Sequence, residues 1–338
     1  MNFASDNWTG ATVAVMEAVQ RANGGIAPAY GDDEVTARVT KTFRDIFERE
    51  VEIFFMATGT GANAVSMSAA ARPSGFVFCT AEAHMQTDEF NATEFFTGMK
   101  LVPLASENAL MTPASLEAAI ARLPKGHTGP PTVLSLTNAT EYGTVYRPDR
   151  IAALSAIAKA SGMIVHVDGA RFANAVAATR ASPAALTWQS GVDIMSFGGT
   201  KNGCLAAEAI IVFEPGRFPD LVNLRQRAGH GMSKTRFVAA QFEGYFAGGG
   251  WLATAGHANL MAQRLAAGIA KSNAASLPWQ IEANELFPIM AQATAAKLRA
   301  AGATFHTWEE LPSGDEMVRL VTSFETTTED VDRFLALL

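Results

Sequence analysis

Ile164-Val165-His166-Val167-Asp168-Gly169-Ala170-Arg171 is an apolar run that stops abruptly on an aspartate. A short run of β-branched residues closed by glycine reads as a strand buried on both faces. A strong helical pattern precedes it at Arg147–Ser161, and strand-like segments follow at Asp193–Phe197 and Glu208–Phe213. Upstream the alternation continues. Val51–Ala57, Phe76–Thr80, Leu101–Leu104 and Val133–Thr137 read as strands; Glu34–Glu50, Asp88–Thr97 and Thr112–Arg122, with Pro113 in its first turn, read as helices. Such alternation predicts an α/β fold, a mostly parallel sheet covered by helices on both faces. Long helices are expected at Leu221–Ala247 and Thr254–Ser272. Beyond about residue 275, segments at Trp279–Ala283, Phe287-Pro288-Ile289, Met290–Ala301, Met317–Thr322 and Thr328–Leu337 suggest a small α+β domain. The expected division is an N-terminal arm and first helix over 1–34 that contributes to the site, a large cofactor-binding domain over 35–250, and a linking helix with a small C-terminal domain over 251–338.

The composition narrows the function classes. The chain has 338 residues, a net charge of −7 and 17% charged residues, below the usual quarter or so. No basic block or stripe is present, which argues against nucleic acid as a partner. The low charge suggests surface buried in a homodimer or homotetramer. Cys79 and Cys204 stand far apart, so neither a disulfide framework nor a metal-ligand spacing is expected, and a reducing cytoplasm fits. Met1-Asn2-Phe3-Ala4-Ser5-Asp6 lacks the basic and apolar regions of a signal peptide, and no apolar run is long enough to span a membrane. Only 8 of the 26 basic residues are lysines, so each can be inspected singly.

Three segments carry chemistry. Ser196-Phe197-Gly198-Gly199-Thr200-Lys201-Asn202-Gly203 sets one lysine among small residues at the end of a strand. A cramped, partly desolvated lysine has a lowered pKa and suits Schiff-base chemistry, although a glycine-rich surface turn would read the same way. Asp168 closes its strand where ligands bind in open α/β sheets, about thirty residues before that lysine. A carboxylate there suits pairing with the pyridine nitrogen of pyridoxal phosphate, or simply caps the next helix. Thr58-Gly59-Thr60-Gly61-Ala62-Asn63 links a strand to a helix and offers backbone N–H groups to a phosphate. Ala64 stands where a dinucleotide fingerprint needs its third glycine, which disfavours a nicotinamide oxidoreductase.

The order phosphate turn, aspartate, lysine resembles fold-type I pyridoxal-phosphate enzymes, the aspartate aminotransferase superfamily. Ser5-Asp6-Asn7, Tyr30-Gly31-Asp32-Asp33, Ala83-His84 with Asp88-Glu89, Asp168-Gly169-Ala170-Arg171-Phe172-Ala173-Asn174-Ala175 and Arg319-Leu320-Val321-Thr322 resemble the L-threonine aldolases over essentially the whole chain. Phe197-Gly198-Gly199-Thr200-Lys201-Asn202-Gly203 and Ala228-Gly229-His230 are similar to the bacterial low-specificity branch, while Thr137-Asn138-Ala139 departs from the Glu-Asn-Thr of many relatives. The resemblance implies pyridoxal 5'-phosphate as cofactor and cleavage of L-threonine, L-allo-threonine and related β-hydroxy-α-amino acids, phenylserine included, to glycine and an aldehyde.

By the same resemblance, Lys201 is the Schiff-base lysine and Asp168 the partner of the pyridine nitrogen. Gly59, Thr60 and Thr200 hold phosphate, and His84 stacks on the ring beside the substrate hydroxyl. Ser5, Arg171 and Arg319 bind the substrate carboxylate, Arg171 also bordering the cofactor; an arginine fork meets a carboxylate with two parallel hydrogen bonds. His84, His127 or a bound water is the base. Tyr30, and Lys234 or Arg227, reach a neighbouring subunit's site, Tyr30 toward substrate and Lys234 toward cofactor. An aminotransferase or β-eliminating lyase of the same superfamily, and a cofactor-binding module without catalysis, are the alternative readings.

Overall fold

The computed structural model describes residues 1–124, 126 and 128–338; His127, expected near the substrate hydroxyl, lies outside the described residues. Seven strands form the main sheet: β1 (Glu52–Met56), β2 (Phe76–Thr80), β3 (Lys100–Leu104), β4 (Pro131–Thr137), β5 (Ile164–Gly169), β6 (Ile194–Gly198) and β7 (Glu208–Val212). Their spatial order is β1-β7-β6-β5-β4-β2-β3. The β3-β2, β2-β4, β4-β5 and β5-β6 pairs are parallel, and β7 alone runs against its two neighbours. The sheet is therefore mostly parallel, as the alternating pattern predicts.

Strand alternation divides the side chains between two cores. Val165, Val167 and Ile211 enter one layer; Ile194, Ile210 and Val212 enter the other. Phe43, on the helix Glu34–Phe47, anchors the first layer with Phe197, Phe242 and Phe246 at ring distances of 5.3, 5.2 and 4.9 Å. A third core gathers Leu265 of the helix Gly250–Ile269 with Phe305, Val318, Leu320 and Phe334. It lies under a second sheet built from β8 (Ala275–Ser276), β9 (Glu285–Leu286), β10 (Ile289–Ala291), β11 (His306–Glu310) and β12 (Asp315–Val321).

Register determines where the functional ends meet. β1, β5 and β6 point the same way, so their carboxyl ends share one edge. Antiparallel β7 begins where they finish: Glu208 pairs with Met56 on one side and Gly198 on the other. Asp168 sits two rows further in, opposite Thr137 and Ser196.

Several elements depart from the sequence reading. Two short helices, His84–Thr87 and Ala92–Thr97, replace one over Asp88–Thr97, because Phe90 and Asn91 take positive φ between them. The expected helix Leu221–Ala247 is broken into Leu221–Arg227 and Arg236–Phe246 at the glycine-bearing loop around His230. β11, all of it exposed, had no apolar pattern to betray it. The N-terminal arm is stitched in: the Phe3 N–H donates to the Thr304 carbonyl at 2.8 Å, the Val321 N–H to the Phe3 carbonyl at 2.8 Å, and Phe3 is buried in the third core.

Candidate active site

Two adjoining cavities open at the shared edge of the main sheet. The first, about 250 Å³, is lined by Thr58, Gly59, Thr60, Asn63, His84, Asp168, Thr200, Lys201 and Glu208 among others. The second, about 310 Å³, has Ser5, Glu82, His84, Thr87, Asp88, Glu141, Arg171, Lys201, Glu285, Trp308 and Arg319 in its walls. Lys201, His84 and Asn7 border both. Lys201 therefore stands at the junction of a cofactor-sized and a substrate-sized space, held in the 3-10 turn Thr200–Asn202 directly after β6.

The first cavity has the parts of a phosphate cradle. The helix Gly59–Ala69 starts there, and the Thr58 hydroxyl caps it by accepting the Gly61 N–H at 3.1 Å. The first helical bond runs from Ala62 to Thr58, so the Gly59 and Thr60 N–H groups precede the ladder and face an anion with the positive helix end. Gly61 must be glycine, because a Cβ there would strike the His230 ring, whose Nδ1 accepts the Ala57 N–H at 3.3 Å. Burial pushes the His230 pKa down.

Asp168 is buried at the other end. Its Oδ1 accepts the Ala170 N–H at 3.0 Å and its Oδ2 the Asn63 amide at 2.8 Å. The same Asn63 nitrogen donates to Glu89 Oε1 at 2.8 Å, and Glu89 Oε1 lies 2.9 Å from His84 Nδ1. The result is a hydrogen-bonded chain, His84–Glu89–Asn63–Asp168, buried from Glu89 onward and half-exposed at His84. The Glu89 bond raises the His84 pKa, and it directs Nε2 away from the carboxylate. The His84 N–H donates to Glu141 Oε1 at 2.8 Å, and burial pushes the Glu141 carboxyl up to about 7. A cradle, a buried carboxylate and a lysine in one cavity fit pyridoxal phosphate.

In the second cavity Ser5 and Arg319 lie side by side with the arm: Arg319 Nη2 donates to the Ala4 carbonyl at 3.2 Å, and its guanidinium lies 5.7 Å from the Trp308 ring centre. Arg171 is present but differently committed. Nε and Nη2 donate to Asp6 at 2.7 and 3.0 Å, and Nη1 lies 2.9 Å from Glu285. Arg171 borders the cavity with its Nε–Nη2 edge already engaged by Asp6 and its Nη1 beside Glu285, which leaves Arg319 as the more available cation. Burial favours the neutral form of Asp6, but Arg171 outweighs it and holds the carboxyl below its ordinary range.

Tyr30 and Lys234 do not line either cavity of their own chain. Both are exposed and they share one surface, where the Tyr30 N–H donates to the Ser233 carbonyl at 2.8 Å. His166 is buried between Ser135 at 2.9 Å and Ser196 at 3.2 Å, and burial lowers its pKa to about 4, so it is a neutral core group. Sequence reasoning gave no role to Asn63, Glu89, Glu141, Glu208, Glu285 or Trp308. A usable signal existed for Glu208, a lone carboxylate opening an otherwise apolar strand.

Comparison with known proteins agrees with this geometry. The family model described as beta-eliminating lyase matches residues 2–293. The low specificity L-threonine aldolase of Pseudomonas aeruginosa is 41% identical over 97% of this chain and 94% of its own length. A solved threonine aldolase from Leishmania major superposes with a TM-score of 0.94 at 28% identity, covering 99% of this chain and 98% of that one. Serine palmitoyltransferase from Sphingomonas wittichii, 16% identical, matches with a TM-score of 0.73 over 100% of this chain and 86% of that one, a likeness of fold alone.

Proposed function

This chain belongs to the beta-eliminating lyase family, among the low-specificity L-threonine aldolases, and on that footing we propose how its own residues divide the work. The activity is pyridoxal-phosphate-dependent cleavage of L-threonine to glycine and an aldehyde. One arrangement carries the reading: Lys201 and His84 border both cavities, with Asp168 at the cofactor end and Arg319 at the substrate end.

When bound, pyridoxal phosphate supplies a carbonyl for the amino group and an electron sink for the bond that breaks. Gly59, Thr60 and Thr200 hold its phosphate, Lys201 its carbonyl carbon, and Asp168 keeps a proton on its ring nitrogen. Arg319 and Ser5 bind the substrate carboxylate, with Arg171 behind them. Fixing the carboxylate at one wall and the amine at the other restricts rotation about N–Cα, which selects the Cα–Cβ bond for cleavage. The β-hydroxyl proton leaves toward one base, with His84 Nε2 placed for it and His127 or a bound water as the alternatives. A positioned base of this kind contributes about 10²–10⁴-fold. The hydroxyl-bearing carbon becomes the aldehyde, and a proton added at Cα completes glycine.

L-allo-threonine and phenylserine extend the substrate range in this reading. The exposed Tyr30 and Lys234 support a homo-oligomer in which they serve a neighbour's site, in the cytoplasm, with the chain divided at residues 34 and 250. No helix of the described residues is long and apolar enough to cross a membrane.

The test is an absorbance spectrum with added cofactor, for wild type and Lys201→Ala, with and without glycine. Wild type should show a visible Schiff-base band that Lys201→Ala lacks. L-threonine should give glycine and acetaldehyde in equal amounts; 2-oxobutanoate as the main product would mean elimination instead.

A further inference from the structure

Glu208 has no part in the roles above, yet it stands inside the cofactor cavity. The residue is 6% exposed. Oε1 accepts the Thr200 N–H at 3.4 Å, and Oε2 lies 3.8 Å from the point where a side chain on Gly59 would begin. A carboxyl group thus occupies the same helix N-terminus that receives the phosphate. Among the described residues of this chain the only Lys or Arg bordering this cavity is Lys201, its amine committed to the cofactor carbonyl, so any further positive charge at the phosphate would come from Lys234 of a neighbouring subunit in the proposed homo-oligomer.

Two anions facing one helix end repel each other, which favours a proton on one of them. Burial already pushes Glu208 up to about 7. The charged groups acting on it are Lys201 from the 3-10 turn and Asp168 from β5. The Cys204 thiol and Tyr245 phenol behind it are both held neutral by burial. β1 presents apolar Met56, and the helix Gly59–Ala69 presents amides and hydroxyls.

We propose that Glu208 is a phosphate ligand in its acid form: its O–H donates to a phosphate oxygen, so that binding the cofactor takes up a proton and retention weakens as pH rises. This rests on the phosphate reading of the Gly59–Thr60 cradle. Lys201 acts with the opposite sign, because its amine must lose a proton to condense, and the ring nitrogen held by Asp168 acts with the same sign, so the Glu208 contribution is read as the difference between wild type and Glu208→Gln. In Glu208→Gln the amide N–H donates at every pH.

The experiment titrates pyridoxal phosphate into the cofactor-stripped full chain from about pH 6.5 to about pH 9, reading the Schiff-base band and tryptophan fluorescence. The Kd of wild type relative to Glu208→Gln should rise by up to about tenfold per pH unit above about pH 7. Calorimetry in buffers of different ionisation enthalpy should show wild type taking up more protons per cofactor than Glu208→Gln, by up to about one. Glu208→Asp should bind more weakly but keep the slope. A normal band with parallel Kd profiles and equal proton uptake overturns the proposal alone. No band in wild type overturns the phosphate reading and this proposal with it. If Glu208→Gln does not fold, a wild-type affinity that is flat or improves with pH, without net proton uptake, overturns it.

Discussion

Arg171 grips Asp6 with two parallel hydrogen bonds, Nε to Oδ2 at 2.7 Å and Nη2 to Oδ1 at 3.0 Å, across 165 positions of sequence. With Glu285 2.9 Å from Nη1, this pairing ties the N-terminal arm, the end of β5 and strand β9 together under the substrate cavity. Removing one partner of a buried pair leaves an uncompensated charge. Asp6→Ala should therefore cost roughly 3 kcal/mol in chemical denaturation and raise KM more than it weakens cofactor binding. Wild-type stability and KM would remove Asp6 from this role.

Arg319 should behave differently because its guanidinium is less committed. Arg319→Ala loses hydrogen bonds to a charged group, about 1.5–3 kcal/mol, so KM for L-threonine should rise about 10–100-fold with the cofactor spectrum unchanged. Arg319→Lys should recover only part, since an ammonium cannot form the fork. Unchanged kinetics in Arg319→Ala would take it out of carboxylate binding.

Asn63 supplies one nitrogen to both Glu89 and Asp168, at 2.8 Å each. Asn63→Leu keeps the approximate volume but leaves two buried carboxylates without that donor, a cost of roughly 2–4 kcal/mol. Denaturation and cofactor titration should both register the loss. An effect on stability with no change in cofactor affinity would show that Asp168 does not depend on this bridge.

His84 is raised by its bond to Glu89, so Glu89→Gln should lower its titration midpoint in NMR. A raised histidine contributes stability that is fully present below its unfolded pKa of about 6.5 and lost as pH rises through the folded value. The stability gap between wild type and Glu89→Gln should accordingly be wider at acid than at alkaline pH. A gap independent of pH would contradict the coupling.

Glu141 carries a dependence of the same sign over a lower pH window. Its carboxyl moves from 4.5 up to about 7 on burial, so the folded protein holds a proton there that the unfolded chain releases. Stability should fall as pH rises between those values, by at most about 3 kcal/mol. Thermal denaturation of Glu141→Gln should show a flatter profile over that window; an unchanged slope would exclude the group.

The legible parts of the site were those carried by local sequence. Gly59, Thr60 and Lys201 follow strands, Asp168 is the penultimate residue of one, and all meet at one sheet edge, because parallel strands deliver their carboxyl ends to the same side. Asn63 and Glu89 stood in quoted motifs but carried no role, because Asn63 works by bridging to residues 26 and 105 positions away and Glu89 is the nearer of those two. His230 was legible as part of a motif, but not as the wall that demands glycine at position 61.

The sequence by itself determined the α/β class, the strands of the main sheet and the order of phosphate turn, aspartate and lysine. Those follow from side-chain periodicity and glycine placement, which act over a few residues. Only the tertiary structure decided that β7 runs antiparallel and so sets Glu208 beside Met56 and Gly198. It likewise decided that Asp6 and Glu285 occupy the fork of Arg171. Hydrogen bonding and charge pairing in a buried space depend on which groups are brought within about 3 Å, and distance along the chain carries no record of that.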